Sequence, residues 1–90
     1  MIINIKDFPR ISNEFKSELN EIRKICKSQI KKGIYCNKIY RKITDTIVTF
    51  SYNKETKKGV IYIPKTTETN AVLIKVNFIY DYNEVIVEGI

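Results

Sequence analysis

The strongest constraint on the fold of this chain is a single change of hydrophobic period. Apolar residues between positions 12 and 32 recur at helical spacing, whereas those between 46 and 88 alternate with polar residues. Helical spacing places apolar side chains on one stripe of a helix, and a spacing of two places them on one face of a strand. The sequence therefore predicts one long helix followed by a run of antiparallel strands.

The helix is predicted to span Ser12–Lys32, with Ser12 as N-cap or Pro9 as a first-turn residue, and with Gly33 as the left-handed residue after its end. Its apolar stripe is expected to face the core, with Ile25 at the edge, and comprises Ile11, Phe15, Leu19, Ile22, Cys26 and Ile30. A basic flank carries Lys16, Arg23, Lys24, Lys27 and Lys31. An acidic flank carries Glu14, Glu18 and Glu21.

The other elements are predicted to be short strands and polar turns. Met1–Lys6 is a strand candidate, and Ile34–Thr44 suits either a short second helix or an edge strand, with the strand favoured. Pro64 is expected to close one of four later strands, which are predicted at Thr46–Tyr52, Val60–Ile63, Ala71–Tyr80 and Glu84–Glu88, with the turn between the second and third at Thr66–Asn70. The predicted fold class is a single α+β domain over residues 1–90, in which a β-α-β-β-β-β order packs one helix on an antiparallel meander of four or five strands.

Charge is concentrated in the segment Ile22–Thr44, which holds eight of the chain's sixteen basic residues and no acidic one. Cations neutralise phosphates and tyrosines stack on unpaired bases, so this pattern is typical of a nucleic-acid partner, or of an acidic protein surface. The alternative is a solvated basic face whose tyrosines pack against the sheet. The predicted binding residues are Arg23, Lys24, Lys27, Lys31, Lys32, Tyr35, Lys38, Tyr40, Arg41 and Lys42.

Several reaction classes are excluded by composition. The chain has no histidine, which removes the usual general base and the commonest metal ligand. Cys26 and Cys36 are too few for a structural zinc site, and are expected to be reduced thiols, with Cys26 in the core. No catalytic residue, metal or cofactor is therefore predicted. The N-terminus does not suit a signal peptide and no apolar run suits a membrane span, so a cytoplasmic location without membrane contact is expected.

A second surface is predicted on the face of the sheet away from the helix. This face is unusually apolar for contact with solvent. We expect a second copy of the chain, or a protein partner, to cover it. The predicted interface residues are Ile47, Leu73, Ile79 and Ile86.

Two resemblances follow from the predicted elements. The element order resembles the cystatin-like fold, in which a meander wraps one long helix. The Gln-x-Val-x-Gly inhibitory hairpin of that family has no counterpart at Asn53–Gly59, so protease inhibition is not implied. The hairpin of Val76–Tyr80 and Glu84–Glu88, in a small basic chain with an N-terminal helix, resembles the RelE/MqsR-type ribonuclease toxins.

The sequence therefore suits two functions from different classes. The first is a non-enzymatic binding or inhibitor module; the frequent Ile, Lys and Asn, whose codons are rich in A and T, suit a phage- or plasmid-borne gene. The second is a metal-independent ribonuclease, in which Lys, Arg and Tyr side chains position phosphate and stabilise its developing charge. Its candidate residues are Arg23, Lys27, Tyr40, Arg41 and Lys42.

Overall fold

A computed structural model describes residues 1–8, 12–66 and 71–89. The predicted α+β class and the element order are confirmed. The ambiguous segment after the helix contains a strand, as favoured. Pro9, Ile11 and residues 67–70 of the predicted turn lie outside the described residues. The elements are β1 (Ile2–Asn4), a 3₁₀ turn (Ile5–Asp7), α1 (Asn13–Lys31), β2 (Cys36–Arg41), β3 (Thr46–Asn53), β4 (Lys58–Thr66), β5 (Ala71–Asp81) and β6 (Glu84–Val87).

Helix α1 begins and ends at the residues that the sequence marks. The Ser12 hydroxyl accepts a hydrogen bond from the Phe15 backbone N–H at 3.1 Å, which satisfies one free donor of the first turn. At the other end Gly33 has a φ of +84°, and the Ile34 N–H donates to the Gln29 carbonyl at 2.9 Å. The predicted apolar stripe is confirmed by its buried members, Phe15, Leu19, Ile22, Cys26 and Ile30.

The strands form one sheet in the order β1-β5-β4-β3-β2, with β6 also paired to β5. Strands β2 to β6 are successive antiparallel neighbours, as the meander predicts. The sheet is mixed, however, because β1 runs parallel to β5, with Ile3 opposite Ile74. A period of two reports which face a side chain occupies and not the direction of its strand, so the alternation did not reveal this pairing.

Pro64 lies inside β4, although the sequence predicted that it would close the strand. Pro64 stands opposite Leu73, whose N–H donates away from β4 to the Met1 carbonyl on the β1 side. Pro64 and Leu73 are therefore not a hydrogen-bonded pair, and β4 loses no hydrogen bond to β5 at the proline. Strand β4 therefore continues to Thr66 beside β5. The backbone nitrogen of Pro64 faces β3 and has no hydrogen to donate, and the pairing of β3 with β4 stops at Thr49 and Tyr62.

The core lies between α1 and one face of the sheet. Inward side chains alternate along the strands as predicted, and every fully buried residue that the structure describes is apolar. The opposite face of the sheet is covered by none of the described elements. The sheet contributes Ile39, Val48, Phe50, Ile61, Ile63, Val72, Ile74, Val76, Phe78, Val85 and Val87 to the core.

Candidate binding surfaces

The predicted basic stretch is divided among several surfaces, because neighbouring residues of a strand point to opposite faces. In β2, Lys38 and Tyr40 lie on the outer face of the sheet on either side of the buried Ile39. Arg41 lies on the helix side, where it contacts Glu21. Lys42 lies in the turn after β2. The members carried by the helix or just after it are Arg23, Lys24, Lys27, Lys31, Lys32 and Tyr35.

Two cations on the basic flank attach α1 to β6. The Arg23 guanidinium donates to the Val85 carbonyl from Nε at 3.0 Å and from Nη2 at 2.7 Å. The Lys27 ammonium lies 2.8 Å from the Glu84 carboxylate, and this hydrogen bond lowers the pKa of Glu84. These two cations therefore have a structural role.

The acidic flank of the helix faces the other edge of the sheet. Glu21 pairs there with Arg41, whose side chain is mostly buried. The Nε of Arg41 has no hydrogen-bond partner within the described part of the chain. The two flanks thus match opposite charges on β6 and β2, which favours one orientation of the helix on the sheet.

A crevice separates the basic flank of α1 from the β5–β6 hairpin. It encloses about 400 Å³. Lys24 is exposed on its rim and forms no ion pair with any carboxylate that the structure describes. We call this feature the helix–hairpin crevice; it is lined by Asn20, Arg23, Lys24, Lys27, Glu84 and Val85.

A wider depression of about 580 Å³ adjoins the crevice at the C-terminal end of α1. The two are neighbours because Lys31 follows Lys27 by one helical turn and Asn83 precedes Glu84. Four tyrosines and three lysines converge there, with Ile30, Asp81 and Asn83 completing the wall. We call this feature the tyrosine depression, after Tyr35, Tyr52, Tyr80 and Tyr82; its lysines are Lys31, Lys54 and Lys57.

Tyr52 is the centre of the aromatic group. Its ring centroid lies 5.7 Å from that of Tyr35 and 5.9 Å from that of Tyr80, and its ring stacks on Phe78 at an interplanar angle of 11°. Partial burial raises the pKa of Tyr52, and the neighbouring hydroxyls of Tyr35 and Tyr80 add to the effect. Tyr52 is therefore an uncharged, packed aromatic side chain at neutral pH, set among the charged groups of the wall.

Sequence reasoning selected Lys31 and Tyr35 in this region but missed Lys54, Lys57 and Tyr82. The signal that finds them is the meander itself, since turns that follow alternate strands lie at the same end of a sheet. The β3–β4 turn and the β5–β6 turn meet in this way, and the Tyr80 N–H donates to the Lys57 carbonyl at 3.0 Å.

The five ribonuclease candidates are not brought together. Tyr40 lies on the outer face and donates to the Asp45 carboxylate at 2.8 Å, which raises the pKa of its hydroxyl. Arg23 and Lys27 face β6, whereas Arg41 is on the opposite side of the helix. In residues 1–8, 12–66 and 71–89, no three metal-ligating side chains are grouped. The five candidates therefore do not form the shared site that the ribonuclease hypothesis requires.

The predicted interface residues all lie on the outer face of the sheet, but they do not form one patch. Ile79 and Ile86 are direct cross-strand neighbours, with 44% and 49% of their surface exposed. Leu73 is half-buried beside Ile2, and Ile47 stands opposite Tyr40 in β2. A polar row crosses the face between these groups through Lys38, Thr49, Tyr62 and Lys75.

The chain matches no protein-family model, no curated protein and no solved structure. The two resemblances therefore rest on element order and on the terminal hairpin. None of the described helices is both long enough and apolar enough to cross a lipid bilayer.

Proposed function

We propose that this chain is a non-enzymatic binding module that acts by occupying nucleic acid. One observation carries the proposal: six cations converge along the helix–hairpin crevice and the tyrosine depression, where the described carboxylates are Asp81 and Glu84. Exposed cations bind polyanions mainly by displacing counterions from phosphates. The six cations are Arg23, Lys24, Lys27, Lys31, Lys54 and Lys57.

The six cations divide by their other contacts. Arg23 and Lys27 are held by β6, and Glu84 offsets the charge of Lys27, so these two cations mainly fix the walls of the crevice. The other four, Lys24, Lys31, Lys54 and Lys57, are exposed and form no ion pair with a described carboxylate. These four are the residues we assign to direct phosphate contact. The net charge of +6 adds long-range attraction to the same partner.

The proposal includes a setting and a mode of action. Both cysteines are free thiols, Cys26 in the core and Cys36 exposed, and this suits the reducing cytoplasm. The module inhibits by covering its partner, and its frequent Ile, Lys and Asn, whose codons are rich in A and T, suit a gene carried by a phage or a plasmid. An acidic protein that mimics nucleic acid would contact the same cations. Such a protein would be recognised because it displaces bound oligonucleotides.

Neutralising one lysine of the helix–hairpin crevice and one of the tyrosine depression should weaken nucleic-acid binding. We expect the double variant Lys24→Gln/Lys31→Gln to bind a fluorescent oligonucleotide on the order of tenfold more weakly than the unmodified chain, because two phosphate contacts are lost. The plot of log affinity against log salt should also become less steep, by about 0.7 for each contact with a single strand. Fluorescence anisotropy over a salt series measures both quantities.

The matched control is Lys38→Gln/Lys42→Gln. It removes the same charge from the same basic stretch but from outside the crevice. This control should bind nearly as tightly as the unmodified chain. Equal weakening by both pairs would show that only net charge matters, and a larger effect of the control pair would place the site on the outer face.

A second candidate function is self-association through the outer face of the sheet. The observation that favours it is the Ile79–Ile86 pair, which is exposed although the two residues pack against each other across β5 and β6. An apolar pair on an uncovered sheet loses water contact when a second copy packs on it.

Under this second candidate, the chain should sediment as a dimer and Ile86→Lys should return it to a monomer. The exposed position predicts a change in unfolding free energy of less than about 0.5 kcal/mol. Ser17→Lys adds the same charge on exposed helix surface and should remain a dimer. A monomer at every concentration in analytical ultracentrifugation would exclude self-association and leave a different protein partner for this face.

A further inference from the structure

Tyr82 has a backbone conformation that tyrosine rarely adopts. It is the first of the two residues between β5 and β6, and both have positive φ, 51° for Tyr82 and 58° for Asn83. A two-residue hairpin of this kind favours Asn or Gly, since a larger side chain in the left-handed region is strained. Tyr82 is also 88% exposed, so packing does not account for the tyrosine.

The surroundings of Tyr82 suit a flat, negatively charged ligand. Its ring stands at the rim of the tyrosine depression, whose walls carry Lys31, Lys54 and Lys57. A volume of about 580 Å³ lies within the range of sites for small organic ligands. The exposed ring offers a face for a base, and the three lysines in the same lining supply positive charge for its phosphates.

We infer that the depression stacks an unpaired base on Tyr82, so that the module selects single-stranded over double-stranded nucleic acid. This inference rests on the proposed function and adds to it the form of the partner. In a duplex each base face is covered by its neighbours, so a duplex gains only the phosphate contacts. A single strand gains those contacts and the stacking contact together.

The inference is tested with fluorescent oligonucleotides of about 12 nucleotides, a length within the range that such sites cover. Single-stranded RNA, single-stranded DNA and the duplex of the same sequence are titrated at one salt concentration. We expect either single strand to bind about tenfold more tightly than the duplex, since one stacked base contributes that much. The difference between the RNA and DNA arms identifies which strand is preferred.

Two variants of Tyr82 separate stacking from folding. Tyr82→Asn removes the ring but suits the turn, so we expect a melting temperature no lower than that of the unmodified chain and a loss of the single-strand preference. Tyr82→Phe keeps the ring and should keep the preference. Heparin, a polyanion without bases, should compete with the duplex better than with the single strand.

The possible failures point to different conclusions. Equal affinity for single strand and duplex, or full single-strand binding by Tyr82→Asn, would overturn the stacking inference. If Lys24→Gln/Lys31→Gln still weakens binding in that case, the proposed function stands without it. Absence of binding to every oligonucleotide would overturn both.

Discussion

Replacing Leu19 with Ala is expected to lower the free energy of unfolding by about 3 kcal/mol. Leu19 lies about two turns into α1 with 2% of its surface exposed, inside the core between the helix and the sheet. The substitution removes buried apolar surface and leaves a cavity that the packed strands fill only in part. Chemical denaturation followed by circular dichroism measures the change, which is a large share of the stability of a small domain.

Ser17→Ala is the matched control for this prediction. It places the same residue type in the same helix at an exposed position, and Ala favours the helix slightly over Ser. Its unfolding free energy should stay within about 0.5 kcal/mol of the original. A loss of less than about 1 kcal/mol for Leu19→Ala would show that the helix does not pack on the sheet through this stripe.

Gly59→Ala is expected to destabilise the fold by about 2 kcal/mol. A Cβ at this position would lie 2.2 Å from the Cζ of Phe78 and 2.7 Å from the Ser51 carbonyl oxygen. Phe78 is the cross-strand partner of Gly59 and belongs to the core, so its ring has little room to move. The steric cost exceeds the gain of about 0.4–1 kcal/mol that Ala brings by restricting the unfolded chain.

A double-mutant cycle with Phe78→Leu tests this explanation. The smaller side chain withdraws from Gly59, so the cost of Gly59→Ala should be lower in the Phe78→Leu background. The contact with the Ser51 carbonyl remains, so relief should be incomplete. Strictly additive effects of the two substitutions would contradict the close packing of the Phe78 ring on Gly59.

The sequence was most informative where one local signal decided a structure. Ser12 and Gly33 marked the ends of α1, because each has a specific capping geometry. The alternation from residue 46 onward predicted the inward faces of β3, β5 and β6, because burial on one side of a sheet imposes that pattern. The parallel pairing of β1 depended on a partner about seventy residues away, which no local pattern reports.

The binding surfaces were less predictable, because closeness along the chain is a poor guide to closeness in space. Tyr40 and Arg41 are neighbours in the sequence but lie on opposite faces of β2. Conversely, Lys31, Lys54 and Tyr82 come from a helix and two separate turns, and the fold gathers them around one depression. The charge count over Ile22–Thr44 therefore identified part of the binding surface, but it also included residues such as Tyr40 and Arg41 that face elsewhere.

Pro64 has a consequence for the behaviour of the protein in solution. Beyond Tyr62, the side of β4 that faces β3 has no partner strand among the described residues, and such an open side invites a strand from another molecule. At Pro64 an incoming strand would meet a ring in place of an N–H donor, so a continuous hydrogen-bonded ladder cannot form there. The residue that ends the β3–β4 pairing thereby also guards the opened strand against intermolecular aggregation.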